Sequence, residues 1–321
     1  MKQRKVGRSG LQVSHLGLGT MTWGVETDAD EAAAQLVAFH DAGGTLIDTA
    51  ASYGYGEAES LLGHLITDVV PRVDLVIASK AGITRTPDSR TVDASRGALL
   101  RQLDASLRKL QTDYLDLWYV HFIDDSVPFD ETLAALDYAV SSGRVRYAGV
   151  SNYGGWRIAR AATWQRAVPG RAPIVANQVR YSLVDRGIER EVVPACLELG
   201  VGIFPWSPLG GGVLTGKYRD GIPSDSRAAI GTRPDLVAAD EAGGIVEAVA
   251  TAAEGLATSP VAVALAWLRD RPGVTAPILG ARTLGQLTGA LVSETLDMPR
   301  EIHDALDDVS APVIGYPEDV R

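Results

Sequence analysis

The sequence is poor in cysteine and in lysine, and both shortages reduce the number of functions that the protein could have. Cys196 is the one cysteine among 321 residues. An intramolecular disulfide and a cysteine-built metal cluster are therefore excluded, as is typical of proteins in a reducing compartment. Five lysines stand beside 25 arginines, so arginine is the default cation of this chain. A lysine directly after a buried strand then points to a need for a compact ammonium whose pKa can be tuned.

An excess of positive charge and long apolar runs are also missing. Lys and Arg number 30 against 40 for Asp and Glu, which gives a net charge of −10. No general basic field is therefore available to attract nucleic acid or an anionic membrane surface. No apolar run approaches the ~20 residues of a membrane span, and the basic start of the chain leads into no signal-peptide core. We expect a cytoplasmic protein without nucleic-acid or membrane partners.

What the chain does contain is a regular alternation of short apolar strands with helical segments. Each predicted strand is followed by a polar or glycine-rich turn and then by helical periodicity, which is typical of an α/β fold with a parallel sheet. The number of predicted strands is the number that closes a barrel. They cover 16–18, 45–48, 75–78, 115–121, 147–150, 174–177, 202–205 and 276–279.

This pattern predicts one domain over residues 1–321, a single (β/α)8 TIM barrel. Two short β-like pieces at 4–6 and 12–14 precede the first barrel strand, and they predict a hairpin across the bottom of the barrel. One connection, from Ser207 to about Ala239, is long and rich in glycine and proline. Long connections of this kind in compact domains are usually functional or disordered.

Polar residues stand where the predicted strands end. The carboxyl ends of all strands in a β/α barrel converge on one face, and that face carries the active site. An acid, an ammonium, an imidazole and several amides are therefore expected at one mouth. These residues are Asp48, Lys80, His121, Ser151–Asn152, Asn177–Gln178, Trp206–Ser207 and Gly280–Arg282.

The side chains at three strand ends, with a tyrosine beside them, allow a proton-transfer chemistry. Tyr53 follows Asp48 in a turn that also contains Gly54 and Gly56. A phenol has an ordinary pKa of about 10, and an ammonium such as that of Lys80 would lower it by stabilising the phenolate. Asp48 would pair with the ammonium, and His121 would orient a substrate oxygen. Such a site protonates a developing alkoxide; it lacks the Ser/His/Asp set of a hydrolase and a ligand cluster for zinc.

Taken singly, each of these residues has a plainer explanation. Alone, Asp48 would be explained as a turn residue, Lys80 as a solvated surface charge, and His121 as a buried histidine without a chemical role. Tyr53 and Trp206 are ordinary aromatics of the core or rim. Glu57 and Glu59 lie in the first turn of a predicted helix, where the helix dipole explains them. The combination at successive strand ends is what favours a site.

The same residues, in this order and spacing, resemble the aldo-keto reductase family from about Val6 to about Pro299. The resemblance implies an eight-stranded β/α barrel that reduces aldehydes and ketones with NADPH, without metal or flavin. It also implies that the substrate is a small carbonyl compound. The motifs are Asp48 with Tyr53–Glu59, Lys80, His121, Gly149–Asn152, Asn177–Gln178, Trp206–Leu209 and Gly280–Thr283.

The resemblance also assigns roles. Tyr53 is the general acid, Lys80 and Asp48 tune it, and His121 positions the carbonyl oxygen. Ser151, Asn152 and Gln178 hold the carboxamide of the nicotinamide, whose ring stacks on Trp206. The remaining implied cofactor contacts are Gly19, Thr20, Met21, Ser207, Pro208, Leu209, Gly211, Lys217, Arg227, Gly280, Arg282 and Gln286. Arg227 resembles a phosphate-contacting arginine of the potassium-channel β-subunit branch. Apolar residues expected to line the substrate are Trp23, Tyr55 and Ile123, beside Met21.

The chain departs from the family pattern at the adenosine end. Gln286 is kept, but Gly289 and Ala290 stand where the family has an acidic residue and an asparagine that contact adenine. NADPH is expected, and NADH stays open. A second function is an NADPH-binding, redox-sensing regulatory subunit with little turnover, which the likeness to channel β-subunits permits. The intact set of four catalytic residues favours the enzyme. The physiological substrate and the oligomeric state stay open.

Overall fold

The computed structural model describes residues 1–86, 88–219, 221–223, 240–313 and 315–316. Its strands are short, as expected for apolar runs bounded by glycine and polar residues. In chain order the strands are β1 (Gln3–Lys5), β2 (Gln12–Ser14), β3 (Gly17–Gly19), β4 (Leu46–Asp48), β5 (Val76–Ala81), β6 (Ile83–Arg85), β7 (Arg90–Val92), β8 (Leu115–Val120), β9 (Val145–Ser151), β10 (Ile174–Arg180), β11 (Gly202–Trp206) and β12 (Ile278–Leu279).

Eight of these strands form a parallel barrel. Their spatial order is β11, β10, β9, β8, β5, β4, β3, β12, and every neighbouring pair in that order through β3–β12 is parallel. The sheet closes where Ile203 of β11 meets the residues before β12. The Ile203 N–H donates to Gly273 O at 3.0 Å, and the Thr275 N–H donates to Ile203 O at 2.7 Å. The predicted (β/α)8 barrel is confirmed.

Helices pack around the outside of the barrel, and their ends follow the sequence signals. Ser95 Oγ accepts from the Ala98 N–H, and Ser259 Oγ accepts from the Ala262 N–H, so both serines are N-caps. The helices are α1 (Ala29–Asp41), α2 (Glu57–Asp68), α3 (Arg96–Lys109), α4 (Phe129–Ser141), α5 (Gly155–Ala167), α6 (Val192–Leu199), α7 (Asp240–Gly255), α8 (Pro260–Arg269), α9 (Leu284–Leu291) and α10 (Arg300–Val309).

Alternation along the strands divides the core into two parts. In β8, Leu117 and Tyr119 belong to the barrel interior, while Trp118 and Val120 pack outward against the helices. The interior also contains apolar residues of the N-terminal hairpin, in which β1 and β2 pair antiparallel. The hairpin was predicted, and it closes the amino end of the barrel. Its contributions to the interior are Val6, Leu11 and Val13.

The carboxyl end of the barrel is covered by connecting segments. A second antiparallel hairpin, β6 with β7, follows β5 directly, and the sequence analysis did not predict it. The long connection after β11 begins with a 3₁₀ segment at Gly210–Thr215. Part of this connection, including Arg227, lies outside the described residues.

We searched the described residues for a helix that is long and apolar enough to cross a membrane. No single helix meets that test. Ala242–Gly255 and Pro260–Arg269 meet it only as a pair, which is bent by 101° at its break.

Candidate active site

A buried lysine lies at the centre of the mouth. Lys80, in β5, is 1% exposed, and Asp48, at the end of the neighbouring strand β4, is 2% exposed. Lys80 Nζ donates to Asp48 Oδ2 at 2.6 Å, to Thr49 O at 2.9 Å and to the Tyr53 hydroxyl at 3.3 Å. The ammonium thus uses its three protons on a carboxylate, a carbonyl and a phenol. The contacts of Lys80 with Asp48 and Tyr53 were predicted from the sequence. The contact with the carbonyl of Thr49 was not, because every residue has a backbone carbonyl and the sequence does not show which one accepts.

A left-handed turn places the tyrosine over the end of β4. Gly54, Tyr55 and Gly56 have φ of 53°, 58° and 98°, a region that glycine enters without penalty. The turn folds back at once, since the Tyr53 N–H donates to Ala50 O at 3.0 Å. The chain can therefore point the Tyr53 hydroxyl at Lys80 before α2 begins.

Burial and charge act in opposite directions on the pKa of Tyr53. Burial raises it above its usual value, Lys80 lowers it, and Asp48 raises it again; burial prevails. The expectation that the ammonium gives this phenol a lowered pKa is therefore wrong for the net shift, since desolvation disfavours the phenolate more than Lys80 favours it. Burial likewise disfavours the Lys80 ammonium, but Asp48 and Tyr53 outweigh it and raise the pKa of Lys80. Tyr53 is protonated and Lys80 is charged at neutral pH.

His121 faces the tyrosine from the end of β8. The backbone N–H of His121 donates to Ala81 O at 2.8 Å, which fixes the His121 backbone beside β5. The two rings meet edge to face, with centroids 6.1 Å apart. Burial, followed by the positive charges of Lys80, Arg90 and Arg85, lowers the pKa of His121 well below its usual value. The imidazole is therefore neutral at neutral pH, and in the described part of the chain its buried Nδ1 has no hydrogen-bond partner.

An amide cluster adjoins the charged group on β9, β10 and β11. Gln178 Nε2 donates to Asp48 Oδ1 at 2.7 Å. Ser151 Oγ donates to Gln178 O at 2.9 Å, and Asn152 Nδ2 donates to Ser151 Oγ at 3.0 Å. Trp206 Nε1 donates to Asn152 Oδ1 at 3.1 Å. The predicted amide residues and the indole therefore form one hydrogen-bonded group that leads to the carboxylate.

Comparison with known proteins agrees with this geometry. The model of the aldo/keto reductase family matches residues 15–311. The chain belongs to the aldo/keto reductase family. It is accordingly an NAD(P)H-dependent oxidoreductase that acts on carbonyl groups.

Relatives cover nearly the whole chain. An uncharacterized oxidoreductase, YrpG, of Bacillus subtilis (strain 168) is 35% identical over 320 residues, which are 96% of this chain and 96% of that protein. A probable voltage-gated potassium channel subunit beta of Oryza sativa subsp. japonica is 33% identical over 99% of this chain and 98% of its own length. The L-glyceraldehyde 3-phosphate reductase of Escherichia coli (strain K12) is 32% identical over 89% of this chain and 86% of its own length.

Aldo/keto reductases generally use a nicotinamide cofactor, and the loop after β11 fits the phosphates of one. Gly210, Gly211 and Gly212 all have left-handed φ, between 58° and 98°. A Cβ on Gly212 would lie 3.0 Å from Lys217 Cε, so glycine lets the lysine stem approach the turn. Among the described residues, Lys217 has no carboxylate partner. Its Nζ lies over the Tyr218 ring, 5.1 Å from the centroid. An ammonium with no described carboxylate partner, beside a glycine turn, is suited to a pyrophosphate. Ser207, Pro208 and Leu209 lead into this turn, and Ser207 Oγ accepts from the Gly211 N–H at 3.1 Å.

The loops after β3 and β12, which carry further predicted cofactor contacts, meet each other, and the adenosine end was expected at the loop after β12. The Thr20 N–H donates to Asp48 O at 2.9 Å, which ties the first loop to the charged centre. Thr27 Oγ1 donates to Arg282 O at 3.1 Å, and the Arg282 N–H donates to Gln286 Oε1 at 2.9 Å. Arg282 also lies 3.6 Å from a Glu26 carboxylate oxygen. The other predicted members of this group are Gly19, which is buried, Met21, which is 48% exposed, and Gly280, which is exposed.

The residues predicted to line the substrate divide into two groups. Tyr55 is 56% exposed on the turn beside Tyr53, and Ile123 is partly exposed just beyond His121, so both lie at the mouth. Trp23 does not. Its side chain is 0% exposed in the core, with Nε1 donating to Gln35 Oε1 at 3.2 Å. The expectation that it lines the pocket is wrong, because the loop after β3 turns this indole inward against α1.

Sequence reasoning misjudged Glu59. The helix dipole was a sufficient explanation for this acid, although the resembled family also has an acid here, and Glu59 is fully buried. Its Oε1 accepts from Ser79 Oγ at 2.6 Å, and burial raises its pKa. Ser79 faces outward on β5, next to Lys80, and the glutamate therefore supports the strand that carries the lysine. The described residues contain no group of His, Cys, Asp and Glu arranged to hold a metal ion.

Proposed function

We propose that this protein catalyses the NADPH-dependent reduction of aldehydes or ketones to alcohols, with Tyr53 as the general acid. The observation that carries the proposal is the position of Lys80 Nζ, 2.6 Å from Asp48 Oδ2 and 3.3 Å from the Tyr53 hydroxyl. This contact gives a protonated phenol a neighbour that stabilises its conjugate base. A proton donor for a carbonyl oxygen needs both properties.

The four polar side chains divide the proton chemistry between them. A nicotinamide cofactor held beside these side chains would supply the hydride for the carbonyl carbon. Tyr53 gives its hydroxyl proton to the carbonyl oxygen, and the Lys80 ammonium stabilises the phenolate that remains. Asp48 compensates the buried positive charge of Lys80. His121, being neutral, donates a ring N–H to the same oxygen and orients it. In the reverse direction Tyr53 takes the proton of the alcohol.

The cofactor assignment rests on a set of polar groups along one side of the mouth. Ser151, Asn152 and Gln178 would hold the carboxamide, and the partly exposed Trp206 ring would stack on the nicotinamide. Lys217 would bind the pyrophosphate. NADPH is proposed over NADH because a guanidinium, that of Arg282, lies at the adenosine end, where a 2′-phosphate would need it. The names of the relatives agree with a reductase, since one of them acts on L-glyceraldehyde 3-phosphate.

Titration of tryptophan fluorescence with NADPH and with NADH tests the proposal, together with consumption of the bound cofactor on addition of an aromatic aldehyde. We expect tighter binding of NADPH and turnover with the aldehyde. Tight binding without turnover would favour the alternative, a redox-sensing regulatory subunit, for which the likeness to channel subunits is the support. No binding of either cofactor would overturn both proposals and indicate that Gly289 and Ala290 mark a lost site.

We also propose that the chain acts as one domain in the cytoplasm. The support is its single cysteine, Cys196, which is fully buried and whose pKa burial raises to about 12. Such a thiol is inert and forms no disulfide. Fractionation of the cells that produce the protein tests the location.

A further inference from the structure

Two arginines face each other on the β6–β7 hairpin at the mouth. The register of this hairpin pairs Ile83 with Val92 and Arg85 with Arg90. Cross-strand partners have their side chains on the same face, and like charges directly opposite each other are destabilising. Arg85 and Arg90 are exposed, so water screens them in part. A ligand anion between the two guanidiniums would remove the repulsion altogether.

The face that carries the two arginines is turned toward the catalytic group. The Arg90 guanidinium lies 4.5 Å from the centroid of the Phe122 ring, and the Phe122 centroid is 5.9 Å from that of His121. One aromatic ring therefore separates the guanidinium from the imidazole. The charges also act on the site, since Arg85 and Arg90 both lower the pKa of His121, and Arg85 lowers that of Tyr53, against the larger effect of burial in Tyr53.

Among the described residues, no carboxylate lies within ion-pair distance of either arginine of this pair. Asp93 and Asp124, whose carboxylates lie at the end of the hairpin, accept other hydrogen bonds. Asp93 Oδ1 accepts from the Ser95 N–H, and Asp124 accepts from the Ala94 N–H and from Ser126. In a chain with a net charge of −10, two cations beside the catalytic tyrosine that pair with no described carboxylate form a local positive field that attracts anions.

The position of the hairpin separates this field from the cofactor phosphates. The hairpin follows β5, which in the closed order of strands is four strands from β11 and three from β12. The loops after β11 and β12 hold Lys217 and Arg282, the cations proposed for the cofactor. An anion held by Arg85 and Arg90 would therefore lie on the opposite wall of the mouth, the side that the proposed cofactor contacts leave open to a carbonyl substrate.

We propose that Arg85 and Arg90 determine specificity, by selecting carbonyl substrates that carry a carboxylate or phosphate on the part of the molecule remote from the carbonyl group. This inference rests on the proposed function, because it concerns the substrate of the same site. A guanidinium pair suits both anions, since each offers two oxygens for bidentate hydrogen bonds. The aromatic face of Phe122 would receive the apolar part of the substrate between the charge and the carbonyl.

The test compares three aldehydes of one ring skeleton: 4-carboxybenzaldehyde, 4-formylphenyl phosphate and the neutral methyl 4-formylbenzoate. Three proteins are assayed with NADPH: the wild type, the double variant Arg85→Gln/Arg90→Gln, and the control Arg101→Gln/Arg108→Gln. The control removes the same charge from exposed positions of α3. A fourth protein, Arg85→Lys/Arg90→Lys, keeps the charge and replaces only the planar fork. Unfolding temperatures confirm that each variant is folded.

We expect the wild type to prefer the anionic aldehydes, and the double Gln variant to lose about tenfold in kcat/KM for them through a higher KM. Its kcat/KM for the ester stays within about twofold of wild type, since a rim charge contributes little to a neutral substrate. The α3 control keeps the wild-type preference, and the Lys variant keeps most of it. If the double Gln variant loses kcat/KM for only one of the two anionic aldehydes, the anion of that aldehyde is the group that the arginines bind.

Two other results have opposite meanings for the two proposals. If all three aldehydes are reduced but the ratio of anionic to neutral kcat/KM is the same in the wild type and the double Gln variant, the specificity role is overturned while the proposed function stands. If the wild type reduces none of the aldehydes although it binds NADPH, the proposed function fails, and the substrate class inferred from it fails as well.

Discussion

At both ends of the barrel a cation is held under the surface by a ring of acceptors, but the acceptors differ. At the amino end, the Arg269 guanidinium donates to Asp270 and to the carbonyls of Ser293, Glu294 and Leu296. Beside it, Arg4 Nη1 donates to Arg269 O at 2.9 Å and to Val274 O at 2.6 Å. Five of these seven hydrogen bonds go to backbone carbonyls and two to the Asp270 carboxylate, and the guanidiniums tie loops together.

At the carboxyl end the cation has a different kind of partner. One proton of Lys80 goes to a carbonyl, but the other two go to groups that can change protonation state, Asp48 and Tyr53. His121 completes the contrast, with a ring nitrogen that no described group occupies. Arginine suits the binding of several carbonyls because its planar guanidinium is rigid and always charged. Lysine suits the contact with Tyr53 because its ammonium is a compact point charge on a flexible stem. Both cations pair with a carboxylate, so the contact with the Tyr53 phenol, more than burial, distinguishes the functional cation from the structural one.

The largest expected effect is on Tyr53→Phe. The substitution removes the hydroxyl that lies 3.3 Å from Lys80 and leaves the ring in place. We expect turnover to fall by a factor of roughly 10² to 10⁴, the usual contribution of a general acid. NADPH affinity, measured by fluorescence titration, should change little, because the amide cluster and the β11 loop are untouched. Unchanged turnover in this variant would contradict the mechanism.

Lys80→Met should reduce both activity and stability. It leaves Asp48, which is 2% exposed, as a buried carboxylate without its cation. Removing one partner of a buried ion pair costs about 3 kcal/mol of unfolding free energy. Turnover should fall as well, by about tenfold to a hundredfold, since the phenolate loses its stabilising charge. Denaturation by urea and single-turnover rates separate the two effects. A rate equal to that of wild type, in folded protein, would show that the ammonium is structural only.

Arg269→Met is the matched change at the amino end. It leaves three carbonyl groups, those of Ser293, Glu294 and Leu296, without this donor, and we expect about 3 kcal/mol less unfolding free energy. At a temperature where the variant is folded, its kcat and KM should equal those of wild type. A large loss of kcat in folded protein would break the comparison, because it would couple the amino end to the chemistry.

The smallest expected effect is that of pH. Burial raises the pKa of Tyr53 above its ordinary 10.0 and lowers that of His121 below its ordinary 6.5. The donor loses its proton, and reduction slows, only as pH rises through the raised value; the imidazole gains one only as pH falls through the lowered value. The chemical step of reduction should therefore be flat between these two ordinary values, with no inflection from either group. A falling rate well below pH 10 in single-turnover measurements would show that the ammonium outweighs burial after all.

Much of the fold was predictable because its signals are local. Strand positions follow from short apolar runs, and Asp48, Lys80 and His121 follow from the rule that polar residues at carboxyl ends of barrel strands converge. What these residues share is that their immediate neighbours in the chain decide their position.

The errors concern properties that depend on distant neighbours. The inward orientation of Trp23 depends on the packing of its indole against α1. The net pKa shift of Tyr53 depends on the balance between burial and the charge of Lys80. Glu59 was assigned to the helix dipole because its burial comes from β5. The β6–β7 hairpin was missed although 86–89 reads Thr-Pro-Asp-Ser, a turn composition between two β-rich triplets. The turn was visible, but the pairing of Arg85 with Arg90 depends on register.

The hydrogen bond between Gln178 and Asp48 joins residues 130 positions apart in the chain. Asp48, Tyr53 and Lys80 all come from the first 80 residues, whereas the amide that holds the second carboxylate oxygen arrives with the sixth barrel strand. Contacts of such long sequence separation form slowly, because loop closure costs entropy before the contact compensates for it. We therefore expect a refolding chain to form the contact between Gln178 and Asp48 after its local contacts. Enzymatic activity should then return only when the two halves of the barrel have joined.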